Sequence, residues 1–234
     1  QYGMYHKVKE GVQETRLLLC VSHYQESLHW LSSIQTPFII ASKTLQDPRI
    51  MNVPVNRGNE VSSFLLYILE YYDYLPEYTL FLHGHDADWH QPYNLYFIVH
   101  HLKLEKGYES INSYLVDDRD VATNKYMKQL QSLWGELFQD ELGDFPVSGF
   151  REKCCAQFAV HRDRIRLRSK AFYQQLYDYV VSDHQDDASA VDGYHSSMSY
   201  VVEFVWHYVF GEHAIMEYPG EPFIRISDKH MQYL

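Results

Sequence analysis

Three short apolar runs alternate with two stretches of helical periodicity in the first third of the chain. This alternation constrains the fold more than any other feature. The runs cover residues 16–21, 38–41 and 78–82, and the apolar positions between them recur at helical spacing within 27–34 and 60–72. A short apolar run bounded by polar residues is typical of a strand buried in a parallel sheet. The order predicts an α/β fold with a mostly parallel central sheet flanked by helices.

The rest of the chain continues this architecture within one domain. Residues 1–15 are polar and are predicted to form a lead-in segment. Residues 16–234 contain no internal repeat and no low-complexity linker, which favours a single domain. Periodicity predicts further helices at 95–104, 124–138, 163–181 and 198–210, and a further strand at 156–160.

Charge and composition exclude several classes of protein. The chain has 234 residues, with 31 acidic and 20 basic side chains and a formal net charge of −11. It has no long basic tract, which argues against binding to duplex nucleic acid because the phosphate backbone requires a positive face. Apolar residues make up 46% of the chain, which excludes wholesale disorder. No run approaches the ~20 apolar residues of a membrane-spanning helix.

The cysteines predict a reducing compartment. There are three, at Cys20, Cys154 and Cys155, and an odd number with two adjacent residues is a poor basis for a disulfide scaffold. We therefore expect buried free thiols and a cytoplasmic protein, in the host cytoplasm if the protein is viral. The first residue is Gln1, which indicates a trimmed amino end. The Golgi lumen is the alternative compartment if an anchor segment has been removed.

Polar clusters follow the predicted strands, at the positions where α/β sheets bind their ligands. One cluster covers residues 22–26 and another covers 83–90. The carboxyl ends of parallel strands lie at one edge of a sheet, and ligands bind beyond that edge. A third cluster, 56–60, opens the helix before the third strand, where the helix amino end and Arg57 could hold a phosphate.

The second of these clusters has the composition of a metal site. It contains three histidines and two aspartates within eight residues, at His83, His85, His90, Asp86 and Asp88. Imidazole and carboxylate both bind metal ions. The same side chains could instead shape the loop or contact a ligand directly through hydrogen bonds. The cluster does not have the spacing of a His-Glu-x-x-His zinc protease, and the chain has neither a nucleophile elbow nor a phosphate-binding P-loop.

Glu203 is a candidate general base. It lies within an otherwise apolar helical segment, residues 200–206. Burying a carboxylate in apolar surroundings is costly, so such a group is expected to have a charged or hydrogen-bonding partner or a catalytic role. Burial also raises its pKa toward the range that suits proton transfer. The alternative is a structural carboxylate paired with an arginine or a tyrosine. Trp206, on the same predicted helix, could line an acceptor pocket or belong to the core.

The order of these features resembles nucleotide-sugar glycosyltransferases of the GT-A type. The resemblance lies in a strand, an Asn-x-Gly loop, an amphipathic helix, an apolar strand and then a polar triplet that binds metal. The triplet in those enzymes is Asp-x-Asp. Here the strand is followed directly by His83-Gly84-His85, and Asp86-Ala87-Asp88 comes three residues later. This displacement leaves open which of these side chains take the role of the triplet, and whether a metal is needed.

The chain also resembles a family known only as a domain of unknown function, with members in fungi, algae, plants and large algal viruses. Together these motifs span residues 17 to 211. The matching stretches are 23–26 with Trp30, 54–60, 81–85 with 89–90, 154–160, Glu203-x-x-Trp206 and 210–211. The viral members imply synthesis of capsid glycans, and most narrowly the transfer of xylose from UDP-xylose to a fucose-containing glycan.

The GT-A resemblance implies an inverting glycosyltransferase with Mn²⁺ or Mg²⁺, a nucleotide-sugar donor and a glycan or glycoprotein acceptor. Glu203 is the expected base. The expected donor-binding residues are Ser22, His23, Tyr24, Glu26, Asn56, Arg57, Gly58 and His83. The expected metal ligands are His85, Asp86 and Asp88, and the expected acceptor contacts are Trp89, His90, Gln157 and Trp206. A metal-dependent hydrolase built on the histidine cluster and a non-catalytic carbohydrate-binding module are the alternatives.

Overall fold

A six-stranded sheet forms the centre of the fold in the computed structural model, which describes residues 9, 11–118, 124–153, 155–182 and 197–218. Its strands lie in the order β3-β2-β1-β4-β8-β5. They are β1 (Leu17–His23), β2 (Phe38–Ser42), β3 (Met51–Asn52), β4 (Tyr78–Leu82), β5 (Tyr108–Ser110) and β8 (Phe158–His161). Two further strands, β6 (Leu115–Asp118) and β7 (Phe150–Lys153), pair in a separate antiparallel sheet.

The central sheet is mostly parallel, as predicted. Strands β1 to β4 pair in parallel, and β8 runs antiparallel to both β4 and β5. The domain is therefore a mixed α/β domain, consistent with a Rossmann-like architecture. Strand order reverses between β1 and β4, since the chain first builds outward to β2 and β3 and then returns to the other side of β1. Such a reversal opens a crevice at the carboxyl ends of the strands.

Helices cover both faces of the sheet. The longer ones are α1 (Asn59–Tyr71), α2 (Leu95–His101), α3 (Lys125–Leu137), α6 (Lys170–Val181) and α7 (Ser197–Glu203). The shorter ones are α4 (Gln139–Leu142), α5 (Arg162–Ile165), α8 (Trp206–Val209) and two 3-10 turns, Val12–Glu14 and His29–Ser33. Among the described residues, no helix combines the length and the apolar character that crossing a bilayer requires.

Alternation along the strands divides the core into two parts. In β1, Leu18 and Cys20 point to the face covered by α1, α3 and α6, whereas Leu19 and Val21 point to the face covered by α2 and the second 3-10 turn. Successive side chains of a strand point to opposite faces, so one run of apolar residues supplies both cores. The predicted lead-in also contributes, because Val12 is fully buried in the first core.

Three predicted helices differ from the observed ones. The 163–181 helix is interrupted because Ser169 begins α6 as a cap, with its hydroxyl accepting the backbone N–H of Phe172 at 3.1 Å. The 198–210 helix is interrupted at Val205, whose φ of −122° is not helical. Within 27–34 only a short 3-10 turn forms, where the Trp30 indole donates to the Gly84 carbonyl at 2.8 Å.

Candidate functional site

A cavity of about 790 Å³ lies at the carboxyl ends of β1, β2 and β4. These three strands are neighbours in the sheet, and the position is the crevice created where strand order reverses. The amino end of α1 forms another part of the wall, and the end of α7 closes it. The cavity is therefore where the topology of the sheet predicts a ligand.

Most of the residues predicted for the site line this one cavity. They come from four separate stretches of the chain, so the fold brings together the clusters that the sequence predicted. They are Ser22, His23, Tyr24, Glu26, Asn56, Arg57, His83, His85, Asp88, Trp89, His90 and Glu203. Their proximity confirms the expectation that the polar ends of neighbouring strands converge.

Four predicted residues do not line the cavity. Two of these contact or adjoin segments that do line it. Gln157 is fully buried, and its Oε1 accepts the backbone N–H of His83 at 3.0 Å. Gly58 has a φ of +66°, and a Cβ at this position would overlap Cγ1 of Val180 on α6. Glycine at this position allows close packing at the start of α1.

The other two lie away from the cavity wall. Trp206 is fully buried and stacks on Phe210, with ring centroids 5.5 Å apart and planes 4° from parallel. Burial excludes it from stacking on an acceptor sugar in this structure. Asp86 is exposed on the loop after β4, and its backbone carbonyl accepts the N–H of Leu95 at 2.8 Å. Its carboxylate is not part of the cavity lining.

The side chains that follow β1 are hydrogen-bonded mainly to other groups of the protein. His23 Nδ1 bonds to the Ser42 hydroxyl at 2.9 Å, and Ser22 bonds to Ser63 at 3.0 Å. The Glu26 carboxylate accepts the backbone N–H of Tyr24 at 2.6 Å. Burial acts to raise the pKa of Glu26, but this hydrogen bond and the nearby histidines outweigh it and lower the pKa. These contacts fix the loop that forms one wall of the cavity.

Residues after β4 form a histidine–carboxylate cluster. One ligating atom each from His83, Asp88 and His90 lie within 4.8 Å of one another. His90 Nε2 lies 3.4 Å from Asp88 Oδ2, and its Nδ1 bonds to Asn112 Oδ1 at 2.8 Å. Burial acts to raise the pKa of Asp88, but the hydrogen bond and charge of His90 lower it to about 2. This grouping differs from the predicted metal ligands, because it contains His83 and His90 in place of His85 and Asp86.

A pair of carboxylates lies next to this cluster. Burial raises the pKa of Glu203 well above its ordinary value, and the Glu60 carboxylate and the hydrogen bond shared with it raise the pKa further. Glu60 Oε1 and His83 Nε2 lie 4.0 Å apart, both buried and neither with a hydrogen-bond partner. Buried polar atoms without partners are uncommon, and inside a cavity they indicate the place of a ligand.

Two basic side chains, Lys43 and Arg57, also line the cavity. Lys43 follows β2, and its Nζ donates to the carbonyls of Arg57 at 2.9 Å and Asn59 at 2.5 Å. Burial lowers the pKa of Lys43 to about 8, against the effect of Glu60 and Glu26. The lining contains four carboxylates and two basic groups. A net acidic cavity with several histidines favours a cation over a free anion.

Six lining residues were not among those predicted from the sequence: Lys43, Asn59, Glu60, Gly84, Cys155 and Tyr200. A signal existed for Lys43, which lies two residues after the second predicted strand, and for Asn59 and Glu60, which belong to the third polar cluster. The expectation for the cysteines is partly wrong. Cys20 is free and buried, but Cys155 is disulfide-bonded, and Cys154 lies outside the described residues.

The chain belongs to the family described as "Protein of unknown function (DUF3431)", whose match covers residues 18–219. This confirms the resemblance to a family known only as a domain of unknown function, over nearly the same span. No curated protein and no solved structure matches the chain at a significant level.

Proposed function

We propose that this member of the DUF3431 family transfers a sugar from a nucleotide-diphosphate donor to a glycan acceptor, with UDP-xylose as the first donor to test. The observation that carries the proposal is the composition of the cavity. A largely buried pair of carboxylates, Glu60 and Glu203, lies beside the cluster of His83, Asp88 and His90 at the strand ends. Such a cavity combines a proton acceptor with a place for the charge of a leaving diphosphate.

We place the donor along the walls formed by residues 22–26 and 56–57. Arg57 and Lys43 are the basic groups there, and Lys43 is anchored by two backbone carbonyls. A diphosphate adds negative charge to a cavity that already has more carboxylates than basic groups. Its binding therefore favours a divalent cation in the cavity, which would stabilise the leaving diphosphate. The His83, Asp88 and His90 side chains would hold that cation.

The proposed reaction exchanges one bond of the anomeric carbon for another. The bond from this carbon to the diphosphate oxygen breaks, and a bond to the acceptor oxygen forms. The acceptor hydroxyl loses its proton to the carboxylate of Glu203, and the nucleoside diphosphate leaves with the electron pair. Because the pKa of Glu203 is raised, kcat should increase with pH as this carboxyl loses its own proton.

We place the acceptor at the mouth of the cavity. Trp89 lines the cavity with 49% of its surface exposed, and Tyr24 is half exposed on the loop after β1. Exposed aromatic faces at the edge of a polar cavity suit the apolar faces of sugar rings. This leaves Trp89 as the aromatic contact for an acceptor and replaces the prediction for Trp206.

The proposal is tested by measuring nucleoside diphosphate release from a panel of nucleotide sugars, with and without glycan acceptors. We expect release that depends on acceptor, and Glu203→Gln should lower kcat by about 10²–10⁴ while leaving donor binding intact. Glu105→Gln, at an exposed position outside the cavity, is the matched control. Unchanged turnover in Glu203→Gln would contradict the role of Glu203. Absence of acceptor-dependent release across the panel would contradict the transfer itself.

A metal-dependent hydrolase is the second candidate. The cluster of His83, Asp88 and His90 favours it, since two imidazoles and one carboxylate are also found in hydrolytic metal sites. This function predicts that a substrate is cleaved at the same rate whether or not an acceptor sugar is present. The same assay therefore separates the two candidates, because only the transferase requires the acceptor.

A further inference from the structure

We propose that His83, Asp88 and His90 form a site for one divalent transition metal of the kind that prefers imidazole, such as Zn²⁺ or Fe²⁺. The inference concerns the cavity described above but does not rest on the transfer reaction. It differs from the sequence-based prediction in its ligands, because His85 and Asp86 are outside the site. It also differs in the metal, because Mg²⁺ is disfavoured.

The three ligating atoms already lie close together. They come within 4.8 Å of one another, and His90 Nε2 is 3.4 Å from Asp88 Oδ2. The imidazole rings of His83 and His90 have centroids 5.4 Å apart and are nearly perpendicular. Small side-chain adjustments are enough to bring such atoms around one ion at metal–ligand distances of about 2.0–2.2 Å.

The His90 imidazole is oriented for metal binding. Its Nδ1 bonds to Asn112 Oδ1, which can only accept, so Nδ1 carries a proton, and Nε2, which faces Asp88, is the nitrogen left for a metal ion. The Asn112 amide is held in turn, because its Nδ2 donates to the Gln157 carbonyl at 3.3 Å. A ligating histidine commonly has such a partner on its second nitrogen, which fixes the tautomer and the ring orientation.

The His83 imidazole has an unsatisfied nitrogen at the same place. Its Nε2 is buried without a hydrogen-bond partner, and the facing atom, Glu60 Oε1, is also buried without one. The backbone of His83 is fixed by its hydrogen bond to Gln157. Gln157 therefore contacts both arms of the site, through the backbone of His83 and through Asn112 behind His90. An ion bound beside His83 would give this Nε2 a partner.

His85 and Asp86 are positioned differently. The His85 side chain is 53% exposed, and its Nε2 lies 3.8 Å from Glu26 Oε1, on the side of the cavity formed by the loop after β1. Asp86 is exposed and does not line the cavity. Both are close to the true ligands in sequence, which makes them good controls.

The ligand set selects the class of metal. Two imidazoles and one carboxylate suit Zn²⁺, Fe²⁺, Co²⁺ and similar ions, whereas Mg²⁺ prefers an environment of oxygen atoms. Affinity among divalent ions at such a site rises from Mn²⁺ toward Cu²⁺. The structure therefore predicts that Co²⁺ and Zn²⁺ bind more tightly than Mn²⁺, and Mn²⁺ more tightly than Mg²⁺.

The test uses the full chain after chelator treatment, without nucleotide. Co²⁺, Zn²⁺, Mn²⁺ and Mg²⁺ are titrated by calorimetry, and bound Co²⁺ is followed by its visible absorption. We expect one tight Co²⁺ per chain in the unaltered protein. His90→Ala, His83→Ala and Asp88→Asn should each lose this binding, whereas His85→Ala and Asp86→Asn should retain it. Asn112→Ala should weaken it by about 10–100-fold.

A measurement on the unaltered protein covers the case in which a variant does not fold. Electron spin-echo spectroscopy of bound Mn²⁺ should detect two coordinated imidazoles. Detection of no imidazole, Mg²⁺ binding as tight as Co²⁺, or loss of Co²⁺ binding in His85→Ala but not in His90→Ala would each overturn the inference. A protein that binds Co²⁺ as expected but turns over no nucleotide sugar would keep this site and lose the proposed function.

Discussion

The substitution Gly58→Ala tests whether packing, rather than a ligand contact, requires glycine at the edge of the cavity. Gly58 directly precedes α1 and has a φ of +66° and a ψ of 27°. This left-handed conformation costs a residue with a Cβ roughly 1–2 kcal/mol. A Cβ would also overlap Cγ1 of Val180, a fully buried residue of α6. The substitution therefore combines backbone strain with overpacking.

The two costs add to a measurable effect. Overpacking of a well-packed core typically costs about 1–3 kcal/mol. With the backbone strain, Gly58→Ala should lower the free energy of unfolding by roughly 2–5 kcal/mol. Gly11→Ala is the matched control, because Gly11 has a φ of +96° and nothing lies within 4 Å of a Cβ there. This control should show the strain alone, roughly 1–2 kcal/mol.

A double-mutant cycle with Val180→Ala separates the two costs. In the Val180→Ala background the clashing methyl group is gone, and the remaining Val180 Cβ would lie 3.6 Å from the new Cβ, an ordinary contact. The cost of Gly58→Ala should then fall to that of Gly11→Ala. The coupling energy should be about 1–3 kcal/mol.

Urea denaturation of the four proteins of the cycle and of Gly11→Ala gives the required free energies. The reasoning is refuted if Gly58→Ala costs no more than Gly11→Ala, or if its cost is unchanged by Val180→Ala. If the substitution is tolerated but donor affinity is lost, Gly58 has the ligand role that the sequence suggested.

Two further predictions concern buried polar groups. Burial lowers the pKa of His207 from 6.5 to about 4. Burial also raises the pKa of Glu152, whose Oε2 lies 3.7 Å from Nδ1 of His207. The fold therefore favours neutral His207, and its contribution to stability is lost as pH falls from 6.5 to 4, by about 3 kcal/mol. His207→Gln should flatten this pH dependence in urea titrations, and equal slopes would contradict it. Gln157→Leu should lower the free energy of unfolding by about 1–3 kcal/mol, because it leaves the backbone N–H of His83 without an acceptor. It should also weaken Co²⁺ binding. Effects no larger than those of Gln174→Leu, at an exposed position, would contradict this prediction.

The central sheet was predictable because its strands are short apolar runs bounded by polar residues. β1, β2 and β4 occur where the pattern placed them, and they pair in parallel through crossover segments, a 3-10 turn between β1 and β2 and α1 before β4. The position of the cavity was predictable for the same reason, since parallel strands end at one edge. The same rule also applies to Lys43, which the sequence-based assignment of site residues left out. It follows β2 just as His83 follows β4, yet a single lysine after a strand has no distinctive motif.

The grouping of His83, Asp88 and His90 could not be read from their spacing in the sequence. In an extended segment, alternation would place His83 with His85, on the side opposite Asp88 and His90. The loop after β4 is not extended, because the backbone carbonyl of Asp86 accepts the N–H of Leu95 and that of Asp88 accepts the N–H of Gln91. These turns carry His90 back toward His83. Hydrogen bonds between residues distant in sequence, such as His90 to Asn112, decide the outcome, and no local pattern encodes them.

The separation of Glu203 from Trp206 depends on one irregular residue. In a continuous helix, residues three apart share a face, so both side chains would line the same surface. The helix ends at Glu203, and Val205 adopts a φ of −122° and a ψ of 0° before α8 begins at Trp206. The turn directs the carboxylate to the cavity and the indole to the core, where it meets Phe158 and Phe210. A β-branched residue disfavours the helix only slightly, so this break reflects the packing of the two segments against different partners. The carboxylate that we assign as proton acceptor is therefore positioned by a tertiary effect, although its residue type and apolar surroundings identified it from the sequence.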